Sequence, residues 1–265
     1  MRLHAIEAGT GKPVVLLHGL FGSARNFGAV QRALAAEGVG RVIALDLRNH
    51  GASPHDPDMG YATMAADVAA TLGALGALPA AVIGHSMGGK VAMRLALATP
   101  AAVASLVVAD IAPVAYPPHF AAIAAAMAAL PLEAGMGRAG ADAALKAAVP
   151  DPALRAFLLQ NFIPGTPAAW RIGLSEIIAA LDGIGGWEAP AGALYPGRVM
   201  VLAGERSDYI LREDRAAFRA LFPAARFVTL RHAGHWLHAD NPEGFRAAIV
   251  AFLRAGADAP APGAG

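Results

Sequence analysis

Apolar residues in this chain gather into short unbroken blocks separated by longer periodic stretches. Val14-Val15-Leu16-Leu17, Val42-Ile43-Ala44-Leu45, Ala81-Val82-Ile83 and Leu106-Val107-Val108-Ala109 show no polar alternation. Continuous blocks of this kind read as parallel strands covered on both faces. Between them lie helical stretches at 28–37, 61–77 and 88–98; in the second, Met64, Val68, Leu72 and Leu75 fall at helical spacing. The alternation of strand and helix predicts an α/β fold with a mostly parallel, doubly wound sheet and right-handed crossovers.

The rhythm breaks after Pro113. Residues 114–190 are rich in Ala and Pro, with helical pieces and no convincing strand. It returns with Val199-Met200-Val201-Leu202, a helix near 212–221, the strand Phe227-Val228-Thr229-Leu230 and a final helix. Asn241, Pro242 and Glu243 supply that helix with an N-cap, a first-position proline and a first-turn acid. The expected organisation is a core of 1–113 and 191–256, a helical cap of 114–190 over the carboxyl edge of the sheet, and a disordered tail at 257–265.

Composition narrows the function classes. With 56% hydrophobic and 15% charged residues the chain is globular. A net charge of +1, without a basic stripe, argues against nucleic-acid and anionic-membrane partners. The absence of cysteine excludes disulfides, thiol catalysis and cysteine-ligated metals. The longest apolar run, Phe120 to Leu130, falls well short of the roughly 18 residues that span a bilayer. The start, Met1 to Glu7, lacks the features of a signal peptide. The expectation is a soluble cytoplasmic protein.

The chemistry concentrates in loops that should leave the carboxyl ends of strands, where doubly wound sheets bind ligands. Gly84-His85-Ser86-Met87-Gly88 lies between an apolar strand and a helical stretch. That is the strand, turn and helix setting of a G-x-S-x-G nucleophile elbow, in which Ser86 is held in a strained turn at a helix N-terminus. Bulk at 84 or 88 would clash with the neighbouring strand and helix. His18-Gly19-Leu20-Phe21-Gly22 follows the first block. The backbone N–H groups of Leu20 and Met87 are therefore the candidate pair for an oxyanion hole.

A serine nucleophile needs an imidazole base, and the base needs an acid to orient it. His235 lies in a loop after the last strand, with His232 and His238 as local competitors, while His85 should turn away from the serine. Asp110, at the end of 106–109, gives the order Ser86, Asp110, His235 expected of such a fold; Asp208, after 199–202, is the alternative acid. The residues alone favour neither carboxylate. The stretch Asp46 to His55 invites a metal reading, but no cluster offers three ligands and an open position, and a hydrogen-bonded brace for the site fits it better.

His18 to Ser23, Asp46 to His55, Gly84 to Lys90 and Val108 to Pro113 together resemble the α/β-hydrolase superfamily, and more narrowly the ybfF-like bacterial esterases and the related mitochondrial abhydrolase-domain proteins. The resemblance implies an α/β-hydrolase fold and hydrolysis of small-molecule carboxylic esters or acyl thioesters through an acyl-serine, without a cofactor. It also implies that a serine stands where most of the superfamily carries its acid, which is Ser207 here, and that Asp110 supplies the acid instead. The cap residues Phe120, Ile123, Met127, Phe157, Phe162 and Trp170 should wall an acyl pocket, although helical spacing makes most of them ordinary core. Two rivals stay open: a C–C bond hydrolase, for which Arg138, Lys146, Arg155 and Arg171 are available to grip a second carboxylate, and a non-catalytic binding protein of the same fold.

Overall fold

A computed structural model describes residues 1–117, 120–132 and 135–257. The expected disordered tail therefore lies outside the described residues, except for Ala257, which ends the last helix. The chain opens with β1 (Ala5–Ala8), β2 (Pro13–Leu17), α1 (Gly28–Ala36), β3 (Arg41–Leu45), α2 (Tyr61–Ala74), β4 (Ala80–His85), α3 (Met87–Ala98) and β5 (Val103–Ala109). Then come α4 (Ala121–Ala128), α5 (Arg138–Leu145), α6 (Pro152–Leu158), β6 (Phe162–Ile163), β7 (Ala169–Trp170), α7 (Leu174–Ala179) and α8 (Leu181–Gly185). It closes with β8 (Val199–Gly204), α9 (Asp214–Leu221), β9 (Ala225–Leu230), α10 (Leu237–Asp240) and α11 (Pro242–Ala257).

Seven strands form one sheet in the order β1-β3-β2-β4-β5-β8-β9, parallel throughout except for β1 against β3. Side chains alternate between the faces of a strand, and each face here meets its own helices. Leu17, Leu45, Val82 and Val108 join α2 and α3 through Met64, Val68 and Val91. Leu16, Val42, Ile83 and Val107 join α1 and α11 through Val30, Leu34, Phe245 and Ile249. Both alternating sets are buried, so the strands carry no polar alternation and read as continuous apolar blocks.

β2 lies between β3 and β4, so the chain turns to opposite sides of the sheet after these neighbouring strands. The crevice at their carboxyl ends is a topological switch point, where this architecture binds ligands. The segment between β5 and β8 is tied across it. The Tyr61 hydroxyl donates to the Ile184 carbonyl at 2.6 Å, Asn161 Nδ2 to Phe21 at 2.7 Å and the Gly173 N–H to Asn49 at 2.9 Å.

Three elements depart from the sequence expectation. β1 is a four-residue, half-buried edge strand containing Glu7, too short and mixed for a clear period. β6 and β7 form a two-residue ribbon within 114–190, where no strand was expected; two residues carry no readable alternation. The last helix begins as its capping residues imply, with Asn241 Oδ1 accepting from the Gly244 N–H at 2.9 Å.

At Gly84 an added Cβ would lie 2.2 Å from the Gly88 carbonyl oxygen, a backbone contact that no rotamer relieves. Gly84→Ala should cost about 3 kcal/mol of unfolding free energy in urea titration, as over-packing does. Gly183→Ala, with nothing within 4 Å in α8, should instead stabilise by about 0.5–1 kcal/mol by removing a helical glycine.

Candidate active site

Ser86 occupies the turn between β4 and α3 at φ 53°, ψ −123°, an uncommon conformation for a residue with a side chain. Its N–H donates to Ala109 at 3.0 Å, while its carbonyl receives the Gly89 N–H at 2.8 Å and the Lys90 N–H at 3.2 Å. A Cβ at residue 88 would come within 2.4 and 2.5 Å of the Leu17 and His18 carbonyl oxygens. Glycine there lets the start of α3 sit against the end of β2, beside the loop that carries Leu20.

Ser86 Oγ lies 3.0 Å from His235 Nε2, and His235 Nδ1 lies 2.8 Å from Asp110 Oδ2. Three residues distant in sequence thus share one hydrogen-bonded line. Asp110 is fully buried, and burial of an unpaired charge is costly unless its oxygens find donors. Here Oδ1 accepts the Gly204 N–H at 2.8 Å, and Oδ2 accepts from the Ser207 hydroxyl as well as from His235. Asp208, the alternative acid, is exposed and makes no hydrogen bond among the described residues. It is Ser207, one position earlier, that reaches Asp110.

The imidazole is held on its other sides too. The Tyr209 ring stacks on His235 at 3.9 Å between centroids, with 20° between planes. His85 does not hydrogen-bond Ser86; its Nε2–H donates to the His235 carbonyl at 2.7 Å. Of the two local competitors, His232 is exposed on the surface near Glu205, and His238 packs against Phe27 and His85.

Leu20 and Met87 border the serine, and neither backbone N–H has a hydrogen-bond acceptor among the described residues. Their loop is braced by the Asp46–His55 stretch. His50 Nδ1–H donates to Arg48 at 2.8 Å, and His50 Nε2 accepts the Phe21 N–H at 3.1 Å, holding Phe21 at φ 60°. His18 repeats the arrangement from the opposite loop, with Nδ1–H donating to Gly19 at 2.8 Å and Nε2 accepting the Leu47 N–H at 2.9 Å. Asp46 accepts the Ala24 and Ala52 N–H groups at 2.7 and 2.8 Å. Both ring nitrogens of each histidine are engaged within the protein, and no group of three or more metal-ligating side chains occurs among the described residues.

A model of the alpha/beta hydrolase family matches residues 14–248. The chain belongs to the alpha/beta hydrolase family. It is 40% identical over 247 residues to the sn-1-specific diacylglycerol lipase ABHD11 of Mus musculus, covering 91% of this chain and 80% of that protein. It is 36% identical over 244 residues to esterase YbfF of Escherichia coli, covering 91% and 92%. Among solved structures, a marine microorganism esterase superposes with a TM-score of 0.91 at 33% identity, covering 95% of this chain and 99% of that one. Fold and resemblance are thus as the sequence motifs implied, and relatives named esterase or lipase make this a hydrolase-type chain. No helix among the described residues is long and apolar enough to cross a membrane.

Ser86 opens on two small lobes, which share Leu20, Ser86 and Phe120. The first adds His85, His235, Trp236, Leu154 and Phe157. The second adds Tyr61, Met87, Lys90, Ile111, Tyr116 and Tyr209. Of the six apolar residues expected to wall a pocket, only Phe120 and Phe157 line a lobe. Met127 and Phe162 are core residues, and Ile123 and Trp170 pack against the core. Helical periodicity cannot separate the face over the crevice from the face over the core. Lys90 and Ser207 stood among residues already noted and Tyr209 next to Asp208, but only their packing distinguishes them from neighbours.

Burial holds several histidines here in the neutral form. It pushes His50 down to about 3, helped by nearby His18, and His238 down to about 4, helped by nearby His235. His18 and His85 are shifted in the same direction by the same desolvation. Unfolded histidines titrate near 6.5, so below that pH the unfolded chain binds protons that the folded chain does not. Stability is therefore complete above about pH 6.5 and falls as pH drops towards 4. Urea titrations across this window should show that fall, and His50→Gln should flatten it by up to about 1.4 kcal/mol per pH unit.

Proposed function

We propose that this chain is a serine hydrolase of carboxylic esters or acyl thioesters, with Ser86 as nucleophile, His235 as base and Asp110 as the orienting acid. The observation that carries this reading is the hydrogen-bonded line from Ser86 Oγ through His235 to buried Asp110, beside two backbone N–H groups without acceptors. In the reaction, Ser86 Oγ bonds to the acyl carbon while its proton passes to His235 Nε2. The carbonyl oxygen takes up negative charge between the Leu20 and Met87 N–H groups, each of which contributes about 3 kcal/mol to such a transition state. Collapse breaks the bond to the leaving oxygen or sulfur, which receives the proton from His235. Water, deprotonated by the same imidazole, then frees the acid from Ser86.

The leaving group must face its proton donor, so it belongs in the lobe lined by His235, and the acyl chain belongs in the lobe beside Met87. Residues 114–190 act as the cap over both. Relatives named esterase and lipase support the ester reading. The four cap cations that a C–C bond hydrolase would use, Arg138, Lys146, Arg155 and Arg171, line neither lobe, which leaves Lys90 of the core as the one lining cation among the described residues. Arg155 is spent on Asp142 and two backbone carbonyls. A binding protein would have no need of a base aligned on a strained serine.

A fluorophosphonate probe should label the folded protein at Ser86 and fail on Ser86→Ala; an unlabelled wild type would favour the binding reading. In ester hydrolysis Asp110→Asn should lower kcat by roughly 10²–10⁴-fold, the effect of losing the carboxylate that sets the imidazole's tautomer. Asp208→Asn should change it less than about twofold, because an exposed side chain away from the imidazole contributes little. The reverse ranking would sink the assignment of the acid.

A further inference from the structure

The acyl lobe contains one charge, and the mechanism above does not use it. Lys90 lies in the first turn of α3, four residues after Ser86, and both line the lobe. It is 1% exposed, yet it lines the lobe. Its Nζ donates to the Gly185 carbonyl at 2.8 Å and the Gly186 carbonyl at 2.7 Å, at the end of α8. The rings of Tyr61 and Tyr116 stand 5.6 and 4.8 Å away. No carboxylate among the described residues pairs with it.

Burial lowers Lys90 to about 8, so the ammonium is still the main form at neutral pH, and its contacts do not neutralise it. Backbone carbonyls at a helix C-terminus and aromatic faces are partial charges, and both favour a cation. An ammonium has three donors, and the two carbonyls occupy two of them. The tyrosine hydroxyls offer no counter-ion, since Tyr61 donates to Ile184 and Tyr116 to Tyr209. A purely hydrocarbon acyl chain filling this lobe would leave the remaining donor without a partner. A chain ending in a carboxylate would occupy that donor and pair the charge inside a dry pocket, where such a pair is strong.

We infer that Lys90 is a specificity residue, and that the preferred substrate is an ester or thioester whose acyl chain carries a terminal carboxylate. This rests on the hydrolase reading and deepens it. It is tested with nitrophenyl half-esters of succinate, glutarate and adipate, each compared with the neutral butyrate, valerate or hexanoate ester of matching length. For at least one length, kcat/KM of the half-ester should exceed that of its partner by about tenfold or more. Lys90→Gln, which keeps a donor for the two carbonyls, and Lys90→Met should each reduce that ratio by about tenfold, chiefly through KM, and Lys90→Arg should retain most of it. A purely structural clamp would lower both activities together and leave the ratio fixed, which overturns the inference. Should the variants fail to fold, wild-type inhibition decides: glutarate must compete with a neutral ester better than valerate does, and equal inhibition overturns the proposal. Turnover of neutral esters with no preference at any length overturns this inference alone. No turnover of either series, together with an unlabelled Ser86, overturns the hydrolase reading and this one with it.

Discussion

The crevice depends on a carboxylate buried without a cation. Asp110 sits at the end of β5 in a conformation of positive φ, 54°, and is fully enclosed. A lone ionised carboxylate in such a place is tolerated only when donors surround it. Those donors come from two other segments: the Gly204 amide and Ser207 hydroxyl at the end of β8, and the His235 ring after β9. Satisfying Asp110 therefore fixes two loops against β5 and points the imidazole at Ser86. Solvation of one side chain and alignment of the site are the same requirement, so the acid can be altered conservatively only by a group that satisfies the same donors.

A second set of buried polar groups does for the other side what Asp110 does for this one. The loop carrying Leu20 has no helix or strand to hold it, and its amides are positioned by neutral histidines. His50 accepts from Phe21 while donating to Arg48, so one ring connects two loops and must stay unprotonated to do so. Gly51 belongs to the same device: at φ 59°, a Cβ there would overlap the Asp46 carboxylate at 2.1–2.3 Å. The amides of Leu20 and Met87 have no acceptor among the described residues. Such preorganisation is what makes two N–H groups useful to a developing oxyanion, since no reorientation is required when the charge appears.

Much of this was legible in the residues, and the reasons differ by element. Strands buried on both faces announce themselves as apolar blocks, so β2 to β5 and β8 could be read directly, while β9, a largely exposed edge strand, was legible from its aromatic and β-branched residues. The elbow was legible because its glycines are demanded by backbone contacts, which leave little choice of residue. The acid was harder. Asp110 and Asp208 each follow a strand, and only three-dimensional proximity to His235 separates them; the resemblance to a known family supplied the hint that spacing could not. The pocket walls were least legible. Phe120 and Met127 sit on the same short helical stretch, one facing the crevice and the other the core, and an alanine-rich sequence gives that stretch almost no amphipathic contrast to tell the faces apart.

The two lobes differ in their electrostatics, and the difference follows from what lies beneath each. On the His235 side, burial holds His18, His85 and His238 neutral, and Asp110 beneath is saturated with donors, so an incoming group meets a wall of low charge. On the Met87 side, Lys90 is held between backbone carbonyls and tyrosine rings that stabilise a cation but leave it unpaired. The first lobe can release a neutral alcohol or thiol without breaking an ion pair. The second retains, close to the serine, a field that favours negative charge. On the reading proposed above, that cation sorts substrates by the far end of the acyl chain, while the amides of Leu20 and Met87 answer the charge that develops at the carbonyl.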